Sequence, residues 1–190
     1  MSQKIALSFL TPLLMMPKQK FCRESLVIMT EMVLPNDTNP LNNLMGGRLL
    51  HMMDVAGAIA AQRHCNRVVV TASVDNVSFE HCIKIGSVVS IRAYVTRAFN
   101  SSMEVYVEVM GEEILGTGSK TVTNKAYLTF VAVDQIGKPI PVPDAIAETA
   151  EEKAHYEGAL RRRQLRLVLA GRMKPEEATE LKSIFFTEKA

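Results

Sequence analysis

The stretch 46-GGRLLHMMDVAGAIAAQRH-64 decides the fold of this chain of 190 residues. Its middle is apolar on nearly every side of a helical wheel, and a helix of that kind must be buried over most of its surface. The sequence on either side of it is rich in β-formers up to residue 143. A single antiparallel sheet that curls around one central helix buries such a helix. The sequence therefore predicts an α+β fold in which a sheet wraps around a long helix.

Five runs of the sequence have the composition or the alternation of β-strands. One run, residues 25–34, precedes the helix, and four runs follow it in succession. Apolar and polar side chains alternate through residues 87–99 and again through 103–109, and the intervening AFNSS is short enough for a hairpin turn. The segment 134-DQIGKPIPVP-143 is expected to end the sheet, because its glycine and prolines interrupt a strand.

Helix-forming residues dominate the chain after this segment. Thr149 and Glu152 have the spacing of a capping box, which predicts the start of a helix, and Gly171 predicts its end. A further short helix is expected from Pro175 to about Phe186, since proline is tolerated in a first helical turn. These patterns divide the chain into an N-terminal extension (1–20), a domain with the sheet and the central helix (21–143) and a C-terminal helical appendage (144–190).

Composition limits the partners and the compartment of the chain. A formal net charge of +2 gives no global field that favours nucleic acid or an anionic membrane. The three cysteines are too few and odd in number for a disulfide framework, which favours the cytoplasm. Residues 5–16 are apolar, but the start is barely basic and no small-residue cleavage site follows, so we expect an extension rather than a signal peptide.

Asp54 is a single acid within the apolar part of the central helix, where an unpaired carboxylate is costly to bury. Gly47 lies seven residues earlier, almost two full turns, so both residues fall on one face. Unpaired N–H groups at a helix start stabilise an oxyanion and a carboxylate activates water, which together predict acyl transfer to water. Two structural interpretations compete: Asp54 pairs with His51 or with an arginine, and Gly46 and Gly47 serve close packing.

Several segments resemble the acyl-CoA thioesterases of the hotdog superfamily, particularly the cytosolic acyl-CoA and acetyl-CoA hydrolases and their bacterial relatives. The resemblance covers about residues 25–143 and is carried by NDTNPLNNLMGGRLLHMMDVAGAIAAQRHC, VVTASVDNVSF, VTRAFNSSMEVYVEV and FVAVDQIGKPIPVP. The basic RRRQLRL also resembles a segment that follows the domain in eukaryotic members. The resemblance implies a hotdog fold and hydrolysis of acyl-CoA to fatty acid and coenzyme A, with no cofactor beyond the coenzyme A of the substrate. A chain with a single hotdog domain is expected to dimerise, and the family commonly builds a hexamer as a trimer of dimers.

The resemblance also implies which residues form the site. Asp54 would act as general base, or as nucleophile, and Asn39 from the loop before the helix would orient the water or the thioester carbonyl, often across a dimer interface. The N–H of Gly47 would stabilise the oxyanion. Small residues, hydroxyl groups and one arginine would contact coenzyme A, and they are Gly46, Ala72, Ser73, Val74, Ser101, Ser102, Met103 and Arg163.

The sequence departs from this family at Asn42, where a glycine is common, and this leaves the path of the Asn39 loop open. Two His-Cys dipeptides, at 64–65 and 81–82, lack a familiar zinc spacing, so we expect no metal site. Two other functions are kept as alternatives. One is a hotdog dehydratase or hydratase with His51 as the helix histidine, and the other is a regulator that binds acyl-CoA without turnover.

Overall fold

The computed structural model describes residues 17–75, 77–79, 81–114 and 118–185. Residues 1–16, most of the expected extension, lie outside these ranges. The described chain forms seven strands and three α-helices. The strands are β1 (Gln19–Phe21), β2 (Val27–Met32), β3 (Val68–Asp75), β4 (Val88–Ala98), β5 (Ser102–Glu112), β6 (Lys120–Val133) and β7 (Asp144–Ile146). The helices are α1 (Gly46–Cys65), α2 (Ala150–Leu169) and α3 (Thr179–Phe185).

Five strands form one antiparallel sheet in the order β2-β4-β5-β6-β3. The predicted hairpin joins β4 to β5, and the N–H of Phe99 donates to the carbonyl of Ser102 at 2.8 Å. β3 precedes β4 in the chain but pairs with β6 at the far end of the sheet. Among the described strands, β2 and β3 are therefore the two edges of this sheet.

The central helix α1 packs on one face of the sheet, which we call the inner face. Met52, Met53, Ala56 and Ala60 of α1 are buried in a single hydrophobic core with the sheet. Gly57 allows a close approach, because a Cβ there would lie 2.9 Å from Cε2 of Phe130. The predicted hotdog arrangement of a sheet around a long helix is confirmed.

The opposite, outer face of the sheet carries α2. Tyr94, Tyr106 and Tyr127 lie side by side on β4, β5 and β6, and the ring of His155 from α2 packs 4.2 Å from the Tyr106 ring. Tyr127 Oη and His155 Nδ1 are hydrogen-bonded at 2.7 Å. The C-terminal helical part is thus docked against the sheet.

The ends of α2 follow the sequence. Thr149 Oγ1 accepts the N–H of Glu152 at 3.1 Å, and Glu152 Oε2 accepts the N–H of Thr149 at 3.0 Å, which confirms the capping box. Gly171 follows the helix with a φ of +66°, in the left-handed region that favours glycine. The last predicted helix is a 3₁₀ turn followed by α3.

β1 pairs in parallel with β7, so the first described residues lie against the start of the appendage. No helix of the described part is long and apolar enough to cross a membrane.

Candidate functional site

Asp54 lies half-buried near the middle of α1, facing the edge strand β3. Its Oδ1 accepts a hydrogen bond from Thr71 Oγ1 of β3 at 2.7 Å. His51 is exposed, so the partner that holds the carboxylate is on the strand and not one turn earlier in the helix. Sequence reasoning missed Thr71. The only indication of Thr71 in the sequence is a hydroxyl group directly after the apolar run VVV, in a strand that must direct one face toward the helix.

The two glycines at the start of α1 differ in their surroundings. Met45 precedes them and gives no side-chain cap, and the first N–H groups of a helix have no acceptor within it. A Cβ on Gly46 would lie 3.4 Å from Cζ of Phe79, so Gly46 is packed. A Cβ on Gly47 would meet no atom of the described chain within 4 Å. Because α1 is continuous from Gly46 onward, Gly47 and Asp54 share one face, about 10 Å apart along the axis.

Asn39 lies in the loop before α1, and its side-chain oxygen serves the loop. Asn39 Oδ1 accepts the N–H groups of Leu41 at 2.9 Å and Asn43 at 3.2 Å. Asn42 has a φ of +57°, a left-handed conformation that glycine favours and asparagine tolerates. The loop therefore keeps a backbone conformation suited to glycine although the residue is different. Within the described part of one chain, Asn39 and Asp54 share no hydrogen bond.

A buried acid fastens this loop to the first turn of α1. Asp37 Oδ1 accepts from Arg48 Nε at 2.9 Å, and Arg48 Nη2 reaches Glu31 Oε2 at 3.2 Å. Asp37 Oδ2 accepts the N–H of Leu34 at 3.1 Å. Sequence reasoning missed this network, because its members are 6 and 11 residues apart and no local pattern joins them. The network fixes where Asn39 lies relative to the helix start.

The strand residues expected to contact coenzyme A surround a β-bulge in β3. Ala72 is the extra residue, since Thr71 pairs with Phe130 and Ser73 pairs with the next residue of β6. Ser73 Oγ donates to Asp75 Oδ1 at 3.1 Å. Val74 is about half exposed and borders a groove of about 930 Å³ between β3, β6 and α2. This part of β3 is therefore accessible to a ligand.

The hairpin residues and Arg163 lie close together. The Arg163 guanidinium stacks on the ring of Phe99, 4.6 Å from its centroid, and Phe99 belongs to the turn that holds Ser101 and Ser102. Met103 is fully buried in the core, so only its backbone can meet a ligand. The two preceding arginines point in different directions, as helical geometry requires: Arg162 binds to the sheet, and Arg161 is exposed.

The histidines and cysteines of the two His-Cys dipeptides do not form a metal-ligating cluster among the described residues. His64 is fully buried and its Nε2 is hydrogen-bonded to the carbonyl of Pro143 at 2.9 Å, and burial lowers its pKa. Cys22, Cys65 and Cys82 are free thiols, and burial raises the pKa of Cys22 to about 12. Among the described residues, no three metal-ligating side chains cluster.

Known proteins match most of this chain. The family model described as Thioesterase superfamily matches residues 41–116. The uncharacterized acyl-CoA thioester hydrolase YkhA of Bacillus subtilis is 44% identical over 146 residues, which are 77% of this chain and 84% of that protein. The crystal structure of an apo-hexameric acyl-CoA thioesterase is 41% identical, with a TM-score of 0.78 over 81% of this chain and 98% of that one.

A third relative bears on the site. The acyl-CoA hydrolase of Staphylococcus aureus, solved with butyryl coenzyme A, coenzyme A and coenzyme A disulfide, is 36% identical, with a TM-score of 0.74 over 80% of this chain and 94% of that one. It was also solved with alanine in place of an asparagine, an aspartate and a threonine. In that protein the aspartate follows the asparagine by 15 positions and the threonine follows the aspartate by 17. Asn39, Asp54 and Thr71 have the same two spacings. This chain belongs to the thioesterase superfamily of hotdog proteins.

Proposed function

We propose that this protein hydrolyses acyl-CoA thioesters to a free fatty acid and coenzyme A, with Asp54 as general base. The observation that carries the proposal is the Thr71–Asp54 hydrogen bond, which holds a half-buried carboxylate on the same helix face as Gly47, in the uncapped first turn of α1. The superfamily membership and the names of the relatives support the substrate class.

In the proposed mechanism, Thr71 Oγ1 donates its hydrogen bond to Oδ1 of Asp54, and Oδ2 is left to accept a hydrogen bond from a water molecule. Asp54 accepts a proton from this water as its oxygen attacks the thioester carbonyl. The N–H of Gly47 stabilises the oxyanion of the tetrahedral intermediate. The C–S bond then breaks, the acyl group leaves as a carboxylic acid, and the coenzyme A sulfur takes up the proton.

The test measures thiol release from acyl-CoA by purified protein. Asp54→Asn keeps the shape of the side chain and its bond to Thr71 but removes the base, so we expect kcat to fall by about 10²–10⁴-fold with an unchanged melting temperature. His51→Ala is the matched control on the same helix and should leave kcat unchanged. Activity of Asp54→Asn within a few-fold of wild type would refute the role of Asp54. Hydration of an enoyl-CoA that is lost on His51→Ala would favour the dehydratase alternative.

We further propose that a second copy of the chain completes the site with its Asn39. Three features support this: Asn39 and Asp54 share no hydrogen bond within the described part of one chain, β3 is an edge strand, and apolar side chains of β3 are exposed, with Val68 at 64% and Val70 at 48%. Because Asn39 Oδ1 is used within its loop, the Nδ2 group is the part that would donate to the carbonyl. Pairing of two β3 edges would cover the apolar side chains, and the hexamer expected from the resemblance would be built from such dimers.

Complementation tests this shared site. Asn39→Ala and Asp54→Asn chains are each expected to be inactive alone. After joint refolding, half of the dimers are mixed and each holds one intact site, so about one quarter of the wild-type activity should return. If the mixture stays as inactive as its components, both residues come from one chain and the proposal of a shared site is wrong.

Arg163 is proposed to bind the 3′-phosphate of coenzyme A, together with Ser101 and Ser102. The stacking of Arg163 on Phe99 brings its guanidinium to that hairpin and supports this assignment. Arg163→Met should raise KM for acyl-CoA about tenfold at unchanged kcat, the loss expected for one charge-assisted hydrogen bond. Arg161→Met, on an exposed part of the same turn, is the control. Equal effects of the two variants would mean that only net charge matters.

The cytoplasmic location is part of the same proposal. The free thiols of Cys22 and Cys65, both buried, support a reducing compartment, because disulfides are characteristic of oxidising compartments. Recovery of the protein outside the cell after fractionation would contradict it.

A further inference from the structure

The bulge at Ala72 turns the two halves of β3 toward different helices. Before the bulge, Thr71 pairs with Phe130, whose fully buried side chain is on the inner face against α1. After the bulge, Asp75 pairs with Tyr127, whose hydroxyl contacts His155 of α2 on the outer face. In a regular strand, residues four positions apart share a face. The extra residue therefore lets Thr71 face inward while Asp75 faces outward.

Asp75 is bound on the outer face by α2. Its Oδ2 accepts from Arg166 Nη1, and its Oδ1 accepts from Ser73 Oγ at 3.1 Å. Both side chains of the ion pair are largely buried, with 19% of Arg166 and 23% of Asp75 exposed. The part of β3 after the bulge is thus tied to α2 by a charged pair with little exposure to solvent.

We propose that Arg166 and Asp75 are positioning residues for the hydrolysis: their ion pair holds the register of β3 after the bulge and so keeps Thr71 directed at Asp54. This inference rests on the proposed function of Asp54. It assigns to α2 a role in the reaction at α1, on the other side of the sheet, that is transmitted through β3.

The edge position of β3 explains why such a fastening is needed. Among the described strands only β6 pairs with β3, and an edge strand with a bulge can slip by one residue. A slip by one residue exchanges the faces of all side chains beyond it. Thr71 would then leave Asp54, and the carboxylate would lose the donor that fixes its orientation.

The experiment compares Arg166→Met and Asp75→Asn with Arg92→Met. Arg92 is the matched control, because it also joins α2 to the outer face through an ion pair, with Glu151 at 2.9 Å, but it lies on β4. We expect Arg166→Met and Asp75→Asn to lower kcat about tenfold with KM within about twofold, since a misdirected catalytic group costs rate more than binding. Arg166→Lys, which keeps the charge, should recover most of kcat, and Arg92→Met should retain it.

A double-mutant cycle separates positioning from general destabilisation. If Arg166 acts through Thr71, Arg166→Met should lower kcat no further in a Thr71→Ala background. An equal loss in both backgrounds, or the same loss in Arg92→Met, would overturn the inference while leaving the role of Asp54 intact. Loss of thiol release from the wild-type protein would instead refute the proposed function.

A measurement without activity decides the inference independently. Amide hydrogen exchange of residues 71–75 should accelerate in Arg166→Met relative to that of β5, and it should stay at the wild-type rate in Arg92→Met. Unchanged exchange in β3 of Arg166→Met would show that the ion pair does not hold the strand, and the inference would be wrong even in an active enzyme.

Discussion

The two helices that pack on the sheet use opposite chemistry. On the inner face, α1 presents methionines, alanines and Gly57 to a buried apolar core. On the outer face, α2 is held by ion pairs, a histidine and a row of tyrosines. Apolar burial is tolerant of direction, whereas a charged pair requires one geometry. From this difference we infer that α1 provides most of the core, whereas α2 fixes the register of the strands.

The strongest contrast is the buried carboxylate of Glu104 on the outer face. Its side chain is fully buried and accepts from Arg162 Nε at 3.0 Å, Arg162 Nη2 at 2.7 Å and Thr96 Oγ1 at 2.7 Å. Arg162→Met leaves this charge unpaired and should lower the free energy of unfolding by about 3–5 kcal/mol, measured by urea denaturation. Adding Glu104→Leu should restore most of that loss. No recovery in the double variant would show that α2 docks by shape and not by charge.

The inner face is tested by Gly57→Ala. The added Cβ would overlap the buried Phe130 ring, and such overpacking should cost about 1–3 kcal/mol of unfolding free energy. Gly47→Ala is the control on the same helix, because its Cβ would meet open space and should leave stability nearly unchanged. If both variants unfold at the same urea concentration, the contact of α1 with β6 is looser than described.

The pH dependence of the free energy of unfolding can be divided between the two helices, because each of them carries a histidine. Burial and the nearby charge of Arg162 lower the pKa of His155 below its ordinary value of 6.5. The unfolded chain then binds a proton before the folded one, so stability is complete above about pH 6.5 and declines as pH falls, by at most about 1.4 kcal/mol per pH unit for this site. His155→Gln should flatten that part of the profile measured by urea denaturation from pH 5 to 7.5.

His64 on α1 has a pKa lowered mainly by burial and contributes in the same direction. His64→Gln is therefore the comparison variant for the inner side. A profile that keeps its full slope in His155→Gln would assign the acid sensitivity to α1 and not to α2.

The smallest effect is expected at the exposed rim of the outer face. Arg92 and Glu151 form an ion pair whose side chains are 32% and 47% exposed. Arg92→Met should cost less than about 1 kcal/mol, because water and salt screen such a pair. Added salt should weaken the wild-type protein slightly and the variant less. A cost as large as that of Arg162→Met would mean that exposure to solvent does not determine how much each ion pair of α2 contributes to stability.

Much of this fold was predictable because its signals are local. The apolar helix, the hairpin at AFNSS and the capping box of Thr149 each depend on residues close in sequence, and each was found. The pairing of β3 with β6 was not predicted, because the composition of the four later strands does not determine which of them lie next to each other in the sheet. Of the candidate site, Asp54 and the helix start were predicted from their spacing, whereas the contact of Thr71 with Asp54 required the strand order.

By itself the sequence determined a sheet around one buried helix, with Gly47 and Asp54 on one face, since helical periodicity fixes these relations within a single element. Only the tertiary structure decided that Thr71 binds Asp54 and that Arg166 binds Asp75. The physical reason is the bulge at Ala72. One extra residue reverses the faces of a strand, and its effect is set by pairing with β6 rather than by any local pattern.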